Sequence, residues 1–265
     1  MSALRRPQPP QGALAGALAG TLVALCLFAP ARWLGQALSA FSQGHLKLEA
    51  PRGTVWQGSA QLSLCGGPGS QDARTLPGRI DWRLHWQMHW QALPSLTLAL
   101  QAPCCTRETL ALTVQPDWGQ VTVSLADSHF LGSADTLSGL GAPWNTLALQ
   151  GQLQLDSDRL RLTFAQGRLQ MSGQAVLQAL DISSTLSTLR PLGSYQMVLV
   201  GGSTPQLSLS TLTGSLLLEG EGQWVEGQLH FRGQAHAAPE RENALNNLLN
   251  VIGRREGNLS RISLG

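Results

Sequence analysis

From Arg79 to Gln91 the chain reads RIDWRLHWQMHWQ, with an apolar residue at every second position. Ile80, Trp82, Leu84, Trp86, Met88 and Trp90 fall on one side, and Asp81, Arg83, His85, Gln87, His89 and Gln91 on the other. A helix would scatter those six apolar residues around its circumference, whereas a strand gathers them on one face. The pattern therefore predicts a β-strand with three tryptophans lining one side of a sheet. A buried core is the ordinary destination of such a face. An apolar surface that takes a partner or a lipid is the sharper alternative.

The same alternation recurs along most of the chain. Leu46, Leu48 and Ala50 interleave with Lys47 and Glu49, and Leu62 and Leu64 continue the pattern in Ala60 to Cys65. Further runs lie at Leu96 to Gln101, Thr109 to Gln115, Gln120 to Leu125, Leu147 to Leu149, Leu153 to Leu155 and Leu160 to Phe164. Arg168 to Leu177, Tyr195 to Val200, Gln206 to Leu212, Ser215 to Leu218 and Gln228 to Ala237 complete the series. Many consecutive strands with short connections argue for hairpin-linked antiparallel sheet. One apolar face per strand requires that the sheet curl or fold on itself to hide it. Asp127 to Asn145, rich in Gly, Ser and Ala, is the candidate internal boundary, at 127–145. Near the end the period changes. Ala244, Leu245, Leu248, Leu249 and Ile252 mark one face of a helix, with Pro239 suited to its first turn, Glu240 and Glu242 to its N-terminal dipole, and Gly253 to its end. The expected fold is mainly β: an extended, curved antiparallel sheet with a short C-terminal amphipathic helix.

Ahead of the strands, Pro7 to Ala31 contains no charged residue and is flanked by Arg5, Arg6 and Arg32. About 20 apolar residues span a bilayer as a helix. The five leucines of Gly12 to Ala29, with Val23 and Phe28, contribute about −2 to −4 kcal/mol on the insertion scale. Arg5 and Arg6 keep the N-terminus cytoplasmic by the positive-inside rule. The expected layout is a cytoplasmic segment 1–11, a transmembrane anchor 12–31, a linker 32–44 that could continue a helix from Trp33, and an exported β domain 45–265. A cleaved signal peptide ending at Ala29-Pro30-Ala31 is the competing reading, and it exports the body as well. Gly12, Gly16, Gly20 and Ala24 form a small-residue stripe at four-residue spacing, the pattern that lets membrane helices approach closely.

Chemistry is scarce. Net charge is +2 and 13% of residues are charged, with no basic cluster, so the composition excludes a nucleic-acid partner. No G-x-S-x-G, H-E-x-x-H or phosphate-binding loop occurs. Gly220-Glu221-Gly222 lacks the third glycine of a dinucleotide fingerprint and reads as a turn. His85 and His89 share a strand face but stand about 13 Å apart, too far for one metal ion. Asp81 and Asp156 have no evident acid–base partner, and Asn258-Leu259-Ser260 is a chance glycosylation match. No enzyme, cofactor or metal site is expected. Cys65, Cys104 and Cys105 fall in the exported part, where disulfides persist, while Cys26 lies in the apolar segment. One bridge is expected, from Cys65 to Cys104 or Cys105. A metal set is disfavoured because no second C-x-x-C and no suitably spaced His lie nearby.

Several segments together resemble protein N of the bacterial type II secretion system. They are Gly53-Thr54-Val55-Trp56-Gln57-Gly58-Ser59-Ala60, Leu76 to Leu84, Leu192-Gly193-Ser194-Tyr195, Leu218 to Gly222 with Trp224, Gly233 with Ala235, and the Ala244 to Gly253 helix. The resemblance implies a non-enzymatic, single-pass inner-membrane protein of a Gram-negative bacterium, with a periplasmic β domain. Its partners would be other subunits of a machine that exports folded proteins across the outer membrane. The family brings no catalytic residues to transfer. The alternative drawn from the strand pattern alone is a periplasmic lipid-handling protein that uses the apolar sheet face as a groove.

Overall fold

The computed structural model describes residues 11–89, 92–225 and 228–265. Arg5, Arg6 and the rest of 1–10, and Trp90 with Gln91, lie outside the described residues. Two helices lead, α1 (Gln11–Leu27) and α2 (Ala31–Phe41). The strands are β1 (Leu46–Gly53), β2 (Gln57–Cys65), β3 (Ala73–Thr75), β4 (Ile80–His89), β5 (Ala92–Gln101), β6 (Leu110–Asp117), β7 (Gln120–Leu125) and β8 (Ser128–Ser133). A 3-10 turn (Ala134–Leu140) and the single-turn α3 (Trp144–Leu147) precede β9 (Gln150–Ala165), β10 (Arg168–Ser183), β11 (Gly193–Gly202), β12 (Gln206–Gly214), β13 (Leu216–Val225) and β14 (Gln228–Ala237). The chain ends with α4 (Glu242–Ile252), β15 (Arg254–Glu256) and β16 (Leu259–Leu264).

All sixteen strands join one sheet, and every described pairing is antiparallel. Its order is β1-β2-β4-β5-β6-β7-β9-β10-β11-β12-β13-β14-β16-β15, with β3 beside β2 and β8 beside β9. The 127–145 stretch carries β8, the 3-10 turn and α3, and the sheet runs through it. β9 backs two strands end to end: its second half pairs with β7 and its first half with β8. The chain passes from β7 to β8 opposite a bulge, where Arg159 has φ +46 and its N–H donates to the Asp127 carboxylate at 2.7 Å. That one extra residue moves the apolar positions from odd (Leu153, Leu155) to even (Leu160, Leu162, Phe164) while keeping them on one face. The short runs expected at 153–155 and 160–164 are therefore a single strand.

The registers carry the apolar face across the sheet. Trp86 opposes Leu96, which opposes Val114, then Val123, Leu162 and Met171. Further on, Leu155 opposes Leu177, then Met197 and Leu209. The other face is mostly polar, with Val176 opposing Val198 as an apolar pair on it. Its cross-strand pairs include Thr97–Thr113 at 3.3 Å, Thr122–Thr163 at 3.3 Å, and Gln178 Nε2 donating to Gln196 Oε1 at 3.1 Å.

Cover for the apolar face comes at one end of the strands. There α2 lays Ala31 and Leu34 on Leu48, Ala60, Trp82, Leu98 and Leu100. Leu76, Ala102 and Cys105 pack with Leu62, Leu64, Ile80 and Phe130. The amphipathic α4 buries Leu245, Leu248 and Leu249 on Ile182, Leu192, Tyr195, Leu216 and Ala235. Hydroxyl donations from Ser260 to Leu249 O (2.7 Å) and from Ser187 to Ala244 O (3.1 Å) fix it there. The opposite end, where β6 turns to β7 and β9 to β10, has no such layer among the described residues, so the expectation that the whole face is hidden holds for the covered end only. The molecule exposes 17215 Å², against about 11,200 Å² for a compact monomer of its mass. The solvent-facing α1 and the uncovered face both contribute to the excess.

Three expectations need correction in extent. The 12–31 span is interrupted: α1 ends at Leu27 and α2 starts at Ala31, because Pro30 has no N–H to continue the ladder and takes an extended conformation. The 17 residues of α1 rise about 26 Å, and no described helix is long and apolar enough to cross a membrane. The expected linker is largely α2, in keeping with a helix continuing from Trp33, and it packs on the sheet. Pro239 lies outside α4, since Glu240 at φ +63 breaks the chain direction before the helix begins.

Candidate functional site

The segment Gly53 to Gly58 links β1 to β2 and joins the helices to the sheet. Trp82 lies across it, 2% exposed, and its Nε1–H donates to Thr54 O (3.2 Å) and Val55 O (3.1 Å). The indole can lie there because position 58 has no side chain: a Cβ on Gly58 would stand 2.6 Å from Trp82 Cζ2 and 2.4 Å from Arg52 O. The same turn grips the helical junction. Val55 N–H donates to Ala29 O at 2.8 Å, Thr54 forms a bridge with Pro30, and Trp56 Nε1–H donates to Cys26 O at 2.7 Å. Trp56 O in turn accepts from Leu84 N–H at 2.6 Å. One turn thus connects α1, α2, β2 and β4.

The predicted apolar face of β4 is one face, but its environment is graded. Ile80 and Leu84 are half-buried and Trp82 is buried, whereas Trp86 is 54% exposed and Met88 84%. α2 reaches the first half of the strand only. Sequence alternation is identical in both halves, so the change in cover left no local signal.

Within the small-residue stripe, Gly16, Gly20 and Ala24 face solvent, and a Cβ added at Gly16 or Gly20 meets nothing within 4 Å. Gly12 lies in α1, and its surroundings are outside the described residues. The cysteine pairing differs from the expected one. The disulfide joins Cys104 to Cys105, and Cys65 is buried and free. Cys65 alternates with Leu62 and Leu64 along β2 and so faces the opposite side of the sheet, while Cys105 packs on the side of those two leucines.

Asp156 does have a partner, which sequence reasoning missed. His129 Nδ1, on β8, bonds its carboxylate across the β8–β9 pair, and Gln154 Nε2 donates to the other oxygen at 3.1 Å. The His129 bond, the larger cause, holds the Asp156 carboxyl below its ordinary range. Ser128 and Ser157, the neighbours in sequence, bond each other at 2.7 Å on the other face of the pair, so they are not aligned with His129 as nucleophiles. The cross-strand pair ties β8 to β9. Among the described residues no three His, Cys, Asp or Glu side chains gather as a metal set.

A family model described as protein N of the type II secretion system (T2SS) matches residues 44–261, which covers the sheet from β1 into the first half of β16, with α4 and the Gly53–Gly58 turn. No curated protein and no solved structure matches the chain.

Proposed function

The chain belongs to the type II secretion system protein N family, and from that premise we propose that it is a non-enzymatic accessory subunit held at the inner membrane by its N-terminal segment. The N-terminus lies in the cytoplasm and the β domain in the periplasm, where it contacts other subunits during export of folded proteins across the outer membrane. The observation that carries the reading is the family match over 44–261, which includes the turn that binds α1 and α2 to the sheet. The uncharged run from Pro7 to Ala31 behind Arg5 and Arg6 supports the anchor and its orientation. The solvent-facing glycines of α1 leave its stripe free to meet another membrane helix.

The outer sides of β1 and β15 are unpaired among the described residues, so each end of the sheet offers backbone groups to an added strand. β1, at eight residues, is the longer template, interrupted at Pro51. Affinity purification of the full chain from membranes with the secretion system intact is the test. Co-purification of other subunits of the apparatus is expected. Recovery of the chain alone, from cells in which those subunits are present and assembled, overturns the reading. Gly16→Leu is expected to weaken association in a membrane two-hybrid assay, and an unchanged signal removes the stripe from the contact.

A further inference from the structure

Among the described residues, the apolar face has no covering partner at its hairpin end. Trp86 and Met88 begin an uncovered strip, and Val121, Phe164 and Leu169, cross-strand neighbours on β7, β9 and β10, continue it, each at least 39% exposed. The ladder that starts at Trp86 crosses six strands without a charged side chain, and the indole N–H is its one side-chain hydrogen-bonding group. A protein partner brings about one hydrogen bond per 100–200 Å² of interface, and this strip has almost nothing to answer it. Hydrocarbon requires no such answer.

The position of the strip points the same way. Trp56 bonds Cys26 of α1 through its indole and Leu84 of β4 through its carbonyl. Trp86 and Met88 are the next two residues on that face, about 7 and 13 Å beyond Leu84. The uncovered strip therefore begins beside the end of the helix that carries the N-terminal apolar segment. At the covered end it is closed by the clusters under α2 and α4.

We propose that the hairpin-end half of the apolar face binds the hydrocarbon chains of membrane lipid, which reach it beside α1, while the headgroup stays in water at the hairpin rim. The inference rests on the anchor reading for its source of lipid.

The test uses the full chain reconstituted in vesicles of phosphatidylethanolamine and phosphatidylglycerol, doped with a phospholipid that carries a diazirine on one acyl chain. After irradiation, labelled peptides are mapped by mass spectrometry. Label is expected on β4 and on the β9–β10 hairpin as well as on α1. The double substitution Trp86→Gln and Phe164→Gln changes two half-exposed side chains, and an unaltered unfolding transition verifies that the fold is kept. It is expected to lower the sheet label by about tenfold or more, with the α1 label unchanged. Label confined to α1 overturns the lipid site and leaves the anchor standing. Label on the sheet without α1 overturns the anchor and leaves the site. Sheet label that ignores the double substitution, or a Trp86-centred cross-link between two copies in place of lipid, overturns the proposal.

Discussion

Tyr195 is the chain's single tyrosine, and its ionisation can be followed without interference. It sits in the core under α4, its hydroxyl donating to Leu216 O at 3.1 Å, and burial pushes its pKa well above the ordinary value. A phenol whose folded pKa is raised contributes stability that is fully present below its unfolded pKa, near 10, and is lost as pH rises toward the folded value. Each pH unit in that window is worth about 1.36 kcal/mol, so by about pH 12 the unfolded state gains roughly 2.7 kcal/mol from this one group. Tyr195→Phe removes the hydrogen bond, at a cost of about 1 kcal/mol near neutrality, and also removes the alkaline loss. The two stability curves should therefore cross a little below pH 11, and near pH 12 the variant should be the more stable by roughly 1.7 kcal/mol. Urea unfolding of both proteins along a pH series measures this, with tyrosinate absorbance recorded in parallel. The folded protein should show no tyrosinate signal until it unfolds. A phenol that titrates near pH 10 while the fold is intact, or a variant with the same alkaline slope as the parent, refutes the burial argument.

Gly58→Ala places a methyl group against Arg52 O and the fixed indole of Trp82, so thermal unfolding should reveal a loss of about 1–3 kcal/mol. A neutral result would mean that Trp82 does not lie on the Gly53–Gly58 turn. Leu248→Ala removes a buried anchor of α4 and should cost about 2–5 kcal/mol, while Val251→Ala, on the exposed side of the same helix, should stay within about 0.5 kcal/mol in the same urea titration. Thiol counting on the denatured, unreduced chain should find two free thiols, Cys26 and Cys65. Four thiols would remove the Cys104–Cys105 bridge.

Local periodicity made the strands readable, since alternation needs only the pleat. It also made α4 readable: the five apolar residues at helical spacing all lie within the observed helix. Periodicity failed wherever a bulge reset it. The residues at Arg159 and Asp181 have positive φ, and each shifts the apolar parity of its strand, so two 16-residue strands read as shorter pieces. The cysteine pairing failed for a related reason. Alternation puts Cys65 on the face opposite Leu62 and Leu64, but only the packing shows that Cys105 lies on the side of those leucines. His129 was hidden because its carboxylate partner is 27 residues away and meets it only through the β8–β9 register. The graded cover of β4 depends on where α2 ends, and nothing within β4 encodes that.

The bonds of Trp56, Val55 and Thr54 also decide how the protein can move. A free linker of the 13 residues from 32 to 44 would let a tethered domain wander, with an end-to-end distance of about 20 Å in any direction. Here that stretch is a helix fastened at its start to the sheet's first hairpin, so it acts as a strut and not as a leash. A rotation or tilt imposed on α1 passes through Trp56 to the backbone of Leu84 with little slack. Partners arrayed around such a strut meet one fixed presentation of the sheet, and the effective concentration of each contact is set by geometry in place of diffusion.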